Sequence, residues 1–407
     1  MSQARTETPG ATPPDRRPEL DAIRLLVVVG LVFFHAALVF DERDDFYVKN
    51  DETTGLTMIG AGLGVVWAMP ALFLIAGLGT WYSLRRRGTG GFLKERLLRL
   101  GVPLVFTTLT MMPVPQWLRL RAADPSYDES YLRFLPRFYD VRFDPASFPF
   151  VVQGEHFETG HLWFVVLLLA FSVLLALPVY AFRGGGAARL RARAAEAVTR
   201  RGVVLLPALP IALISAVLGL EESYGGWSRW AYLLFFVCGF ALAADDRFRA
   251  AMRREAPLAA GIGGVLFLAA LPGFLTQDDP FTAMTPLAVT ARTLFGLTGW
   301  LWLVAILGLL DRRLLARRSS PAPASPPAGE RSGRRRVYAY LAAAVLPFYV
   351  LHQPVVVAVA YGVVGWDWPM LPKYLVIVAF SLILTTAAYE LLVRRTRVTR
   401  FLFGMRG

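Results

Sequence analysis

The sequence predicts an all-α polytopic membrane helical bundle of about ten transmembrane helices, with both termini in the cytoplasm. Three observations predict it. First, of 407 residues 55% are hydrophobic and only 18% charged, against about 25% charged in an ordinary soluble domain; mean hydropathy is +0.47. These values exclude a soluble globular enzyme and a disordered chain. Second, ten stretches approach the roughly 20 apolar residues that cross a bilayer: 22–40, 59–84, 100–120, 161–182, 203–220, 229–244, 257–275, 290–310, 341–364 and 371–393. Third, charge alternates between their connections. The N-terminal segment through Arg24, 85–99, 183–202, 245–256, 311–340 and the tail from Arg394 hold 33 of the 43 basic residues, whereas the opposite connections hold 18 of the 30 acidic ones. Such a bias puts the basic connections in the cytoplasm. It also accounts for the net charge of +13 without a nucleic-acid partner; the partner implied is the lipid bilayer of the cell inner membrane.

In chain order, residues 1–18 read as a disordered cytoplasmic segment, and 19–395 as one transmembrane domain. The first apolar stretch reads as an uncleaved span, because no small-x-small cleavage site sits in a polar context. The third carries Pro103, Pro113 and Pro115 and is expected to bend or end early. The loop 121–160 is rich in Pro, Tyr and Phe. It reads either as an ordered cap on the bundle or as aromatics resting on headgroups. The fifth and sixth spans are short. The basic insertion 316–336 reads as disordered, and 396–407 as a basic tail. One cysteine, Cys238, allows no intrachain disulfide. No His/Cys/carboxylate set has metal-ligand spacing.

Ionisable residues inside spans are costly and mark function by default. Span one opens Leu20-Asp21-Ala22-Ile23-Arg24 and reaches His35. Asp21 and Arg24 share a helical face. Arg24 and His35 are eleven residues apart, close to three turns, so they share a face at roughly 16 Å axial separation. His35 is the leading catalytic candidate. His161, beside Trp163, opens span four and reads as lining the outer mouth or as an interfacial residue. His352 lies mid-span between Pro347 and Pro354, beside Gln353. The prolines free backbone carbonyls and are expected to break the helix there. His156, in the outer loop, reads as solvated. Arg96 and Arg99 share a face entering span three and can grip phosphates. Glu390 can pair with an arginine such as Arg24 or reach the headgroups.

Taken together these strings resemble the acyltransferase-3 family of membrane proteins. The resemblance rests on Leu-Asp-x-x-Arg with a His eleven residues beyond the Arg, Arg96-x-x-Arg99 followed by Pro103, Gly160-His161-Leu162-Trp163-Phe164, and Pro347-Phe348-Tyr349-x-Leu351-His352-Gln353-Pro354. It runs from about Leu20 to Val393 and is most similar to the branch containing glucan-biosynthesis protein C, linked to succinylation of glucans. It implies a membrane O-acyltransferase that moves an acyl group from cytoplasmic acyl-CoA, as donor substrate and with no cofactor, to a hydroxyl of an extracytoplasmic carbohydrate acceptor. By that resemblance His35 is the catalytic histidine, as general base or acyl carrier. His352 orients it, binds the acceptor or assists proton transfer, and by the resemblance Arg24, Arg96 and Arg99 serve the donor side. The alternative reading is a transporter or flippase of a lipid-linked sugar or small anion, which broken helices and intramembrane polar groups also suit.

Overall fold

The computed structural model describes residues 18–181, 185–319 and 328–405. The segments 1–17 and 320–327, within the stretches expected to be disordered, lie outside the described residues. The fold is helical apart from one small antiparallel hairpin, β1 (Val141–Phe143) with β2 (Val152–Gly154). Seven described segments are long and apolar enough to cross a membrane. One of them, Ile59–Ala123, runs 65 residues. At 1.5 Å per residue that is roughly three times a hydrocarbon core, so it holds more than one crossing. The expected fifth and sixth spans appear as the shorter helices Ala208–Leu218 and Arg229–Leu242.

Helix α1 (Pro18–Leu38) is followed by α2 (Leu56–Val65) and α3 (Ala68–Arg96). The second expected span is therefore divided at Val66-Trp67. α3 kinks at Gly88, whose φ of 68° suits a residue without Cβ. A π-turn, Leu97–Gly101, leads into α4 (Val102–Thr110), and α5 (Pro113–Ala123) follows. Span three thus ends early at Met111-Met112, just before Pro113, as its prolines predict.

The loop 121–160 is ordered. It contains α6 (Tyr131–Phe138), whose Phe134 and Phe138 are fully buried, and the β-hairpin. His156 corrects the solvated reading: its ring packs 5.6 Å from that of Phe134 and its Nε2 meets Arg137 at 2.7 Å.

The remaining helices are α7 (Trp163–Ala181), α8 (Gly185–Ala197), α9 (Ala208–Leu218), α10 (Arg229–Leu242), α11 (Asp246–Thr276), α12 (Pro286–Ser319), α13 (Ala328–Val363), α14 (Met370–Ala388) and α15 (Arg397–Leu402). The insertion expected to be disordered over 316–336 is helical at both ends, because α12 and α13 extend into it. On the α12 side the run Arg312-Arg313-Leu314-Leu315-Ala316-Arg317-Arg318 consists of good helix formers, which propagate a helix beyond the apolar stretch that nucleates it. The tail folds back: Phe403 sets its ring 5.6 Å from Phe106 of α4.

Small residues let helices approach closely where no hydrophobic drive exists in lipid. A Cβ on Gly77 of α3 would overlap the Phe236 carbonyl of α10, and one on Gly239 of α10 would overlap the Leu74 carbonyl of α3. Polar contacts supply the rest. Arg292 of α12 is wholly buried. It donates to the carbonyls of Ser215 (3.2 Å), Pro280 (3.1 Å), Ala283 (2.7 Å) and Ala216 (3.3 Å), thereby closing the C-terminal end of α9. Asp311 of α12 sits between Arg249 and Arg253 of α11.

Candidate functional site

Three histidines from far apart in the sequence meet at one place. The ring centroids of His35 (α1) and His352 (α13) are 5.2 Å apart, and those of His352 and His161 are 5.0 Å apart. The reason starts with Pro354. A proline has no N–H, so the carbonyl four residues earlier loses its helical partner. That carbonyl is Val350, and His161 Nε2 donates to it at 3.1 Å. The helix is therefore not broken at the His-Gln pair, contrary to the expectation; α13 runs through both prolines, and the freed carbonyl is satisfied from outside the helix.

Three further contacts fix the cluster. The His161 backbone N–H donates to Gln353 Oε1 at 2.9 Å, the Tyr349 hydroxyl donates to the His161 carbonyl, and His352 Nδ1 donates to the Tyr349 carbonyl at 2.6 Å. A carbonyl can only accept, so His161 carries its proton on Nε2 and His352 on Nδ1. The opposite nitrogens, His161 Nδ1 and His352 Nε2, are buried and without a hydrogen-bond partner, as is His35 Nδ1. Buried polar atoms without partners carry a desolvation cost and call for an explanation.

His35 lines a cavity of about 1170 Å³, together with His161, Trp163, Gln353 and Tyr349. The Phe46 ring stacks at 5.8 Å and 20° on His35. His352 is fully buried and sits behind His35. It is not among the cavity-lining residues. Tyr139, Phe150, Gln153 and Phe157 of the loop 121–160 also line the cavity. Trp163 stacks on Tyr232 at 5.4 Å, and Phe150 on Tyr224 at 4.7 Å and 9°.

Sequence reasoning missed three cavity groups. Tyr349 is within a quoted string but gave no signal of its own. Burial pushes the Glu158 carboxyl up to about 8, and its Oε1 accepts from the Tyr47 hydroxyl. Burial likewise lifts Asp44 to about 6, although Lys49 beside it acts the other way. Both carboxyls lie in connections that the charge alternation counts only for their sign.

At the opposite, basic end, Arg24 pairs with Asp21 at 2.9 Å and donates to the Ile75 carbonyl at 3.4 Å. Arg96 donates to Thr80 Oγ1 at 3.0 Å. The two guanidiniums thus converge on one stretch of α3. Arg99 is half-buried on the π-turn. None of the three lines the cavity, whose lining reaches Leu26 on α1 and Leu104 on α4. Leu26 is two residues, about 3 Å of helical rise, from Arg24. Glu390 accepts from the Tyr340 hydroxyl and pairs with Arg394 at 2.7 Å. Its partner is thus the arginine one turn on.

The fold is a polytopic helical bundle of the membrane-spanning class, and its histidine cluster borders a cavity. The chain belongs to the acyltransferase-3 family: the model described as "Acyltransferase domain" matches residues 17–390. It is an acyltransferase that transfers groups other than aminoacyl groups. No curated protein and no solved structure matches it.

Proposed function

We propose that this membrane acyltransferase moves an acyl group from cytoplasmic acyl-CoA to a hydroxyl of an extracytoplasmic glycan or glycolipid, across the cell inner membrane, with His35 as general base. The carrying observation is that, of the three clustered rings, His35 lines the large cavity beside Trp163 and Gln353 with no ring nitrogen bonded to a backbone carbonyl, whereas His161 and His352 each hold one. The basic end faces the cytoplasm, where the positive-inside bias puts it. Arg24, Arg96 and Arg99 take the donor's phosphates there, and the thioester arm extends toward the cavity past Leu26.

In the transfer, the imidazole removes the proton from the acceptor hydroxyl while that oxygen forms a bond to the thioester carbonyl carbon. The carbon–sulfur bond then breaks, and the departing thiolate takes the proton back from the imidazolium. His35 Nδ1 is enclosed, so proton exchange with the cavity falls to Nε2. His352 acts as a positioning residue. Its Nδ1 proton is committed to Tyr349, which leaves its Nε2 lone pair as the acceptor for an Nδ1 proton on His35. His161 and Gln353 hold one wall of the acceptor site. The resemblance suggests a glucan-like acceptor.

The test is thiol release from acyl-CoA by the protein in nanodiscs with a glucan oligosaccharide. Release that requires acceptor and is abolished in a folded His35→Ala variant supports the reading. An acyl adduct on His35 trapped without acceptor makes the ring a carrier instead. Solute crossing vesicles with no thiol release favours a transporter.

A further inference from the structure

Carboxyls alone among ionised side-chain types are brought to the outer part of the cavity. Asp44, Glu158 and Glu222 line it, and none of its described lining residues is Lys or Arg. The basic side chains nearby are committed elsewhere. Lys49 donates to the carbonyls of Leu38 at 2.8 Å and Asp44 at 2.9 Å. Arg229 pairs with Glu221 at 2.6 Å and lies over the Tyr224 ring at 5.1 Å.

A second, independent observation points to a ligand there. Thr108 and His161 both line this cavity, are 7% and 4% exposed, and carry polar atoms (Oγ1 and Nδ1) with no partner. A neutral hydroxyl satisfies both, accepting from the Thr108 hydroxyl and donating to His161 Nδ1, which carries no proton. A carboxylate does not: it would lose its hydration among apolar walls and meet no cation. With or without its proton, Glu158 supplies no positive charge.

The route of the donor makes this a statement about the acyl group. A thioester arriving from the basic end and held at His35 directs its acyl chain onward, toward the cap and Glu158. The walls nearer the basic end, formed by Leu26, Val27, Leu31, Leu104 and Val105, are apolar.

Resting on the function proposed above, we infer that the cap end of the cavity excludes anions, so that the acyl group transferred is uncharged and Glu158 is a specificity-determining residue. A dicarboxylic acyl group such as succinyl, which the glucan branch of the family would suggest, is the kind this chamber rejects.

The experiment compares butyryl-CoA with succinyl-CoA on the full chain in nanodiscs, with a neutral glucose oligosaccharide as acceptor and free thiol as readout. The expected result is a kcat/KM for butyryl-CoA at least tenfold above that for succinyl-CoA, with the succinyl-to-butyryl ratio rising at least threefold in Glu158→Gln when both are assayed above pH 8, where Glu158 is ionised. The ratio is internal to each preparation, so partial loss of folded protein cancels. Asp44→Asn serves as a second variant, and the wild-type comparison stands without either. Succinyl-CoA used as well as butyryl-CoA overturns the inference and leaves the acyltransfer reading intact. Thiol release from neither donor, nor from acetyl-CoA, overturns that reading and the inference with it.

Discussion

His35 and His352 pack ring beside ring, with centroids 5.2 Å apart, and each keeps one buried ring nitrogen without a partner, Nδ1 of the first and Nε2 of the second. The rings are placed by α1 and α13, from opposite ends of the chain. Only one of them reaches the cavity. This division of roles yields the first expectation.

Removing His35 should cost activity by the full general-base factor, about 10²- to 10⁴-fold in kcat. Removing His352 should cost roughly tenfold and also shift the pH profile of kcat/KM, because the ring it positions changes its proton affinity. Initial rates of thiol release from pH 5.5 to 8.5 check both. Equal losses with unchanged profiles would contradict a positioning role for His352.

The donor's phosphates and its reacting end are served at different places. Arg96→Ala should raise KM for acyl-CoA about tenfold. It should leave KM for the corresponding acyl-pantetheine, which lacks the phosphates, nearly unchanged. A matched loss on both donors would mean that Arg96 acts through Thr80 and α3 packing.

Glu158 makes stability depend on pH. Its folded-state value of about 8 lies above the ordinary 4.5, so the folded chain holds that proton more tightly than the unfolded one. Stability from this group is full below about 4.5 and is lost as pH rises toward about 8. Hydrogen exchange of the segments around Tyr47 and Glu158 should therefore quicken across that window beyond its intrinsic pH dependence. Glu158→Gln should remove the excess slope.

Gly239→Leu should destabilise the bundle by about 2 kcal/mol or more, because its side chain must displace the Leu74 backbone of α3. Gly261→Ala on α11, where nothing lies within 4 Å of the added methyl, should change stability by less than about 0.5 kcal/mol. Thermal unfolding in detergent distinguishes the two.

Three polar residues show where legibility in the sequence stopped. His35 was legible because an imidazole deep in an apolar run has few reasons to be there. Arg292 is buried just as deeply, inside an expected span, yet the structure gives it a structural task, bonding carbonyls at the end of α9. Glu158 was not legible at all: in sequence it is one acid in an acidic loop, and only the cap's return over the bundle buries it. Pro354 was legible as a freed carbonyl but not as the attachment point of His161, since the partner comes from another helix.

Apolar run length and the alternation of charge determined by themselves that this chain is a helical membrane bundle, because hydrocarbon admits only segments that satisfy their own backbone. Residue type likewise nominated His35, His161 and His352. Tertiary structure alone decided that the three rings share one cluster, that two of them line the cavity while the third backs them, and that carboxyls rather than arginines line its outer part. Those outcomes depend on helix rotation and close packing across the bundle, and no local pattern in a single helix encodes its orientation toward the others.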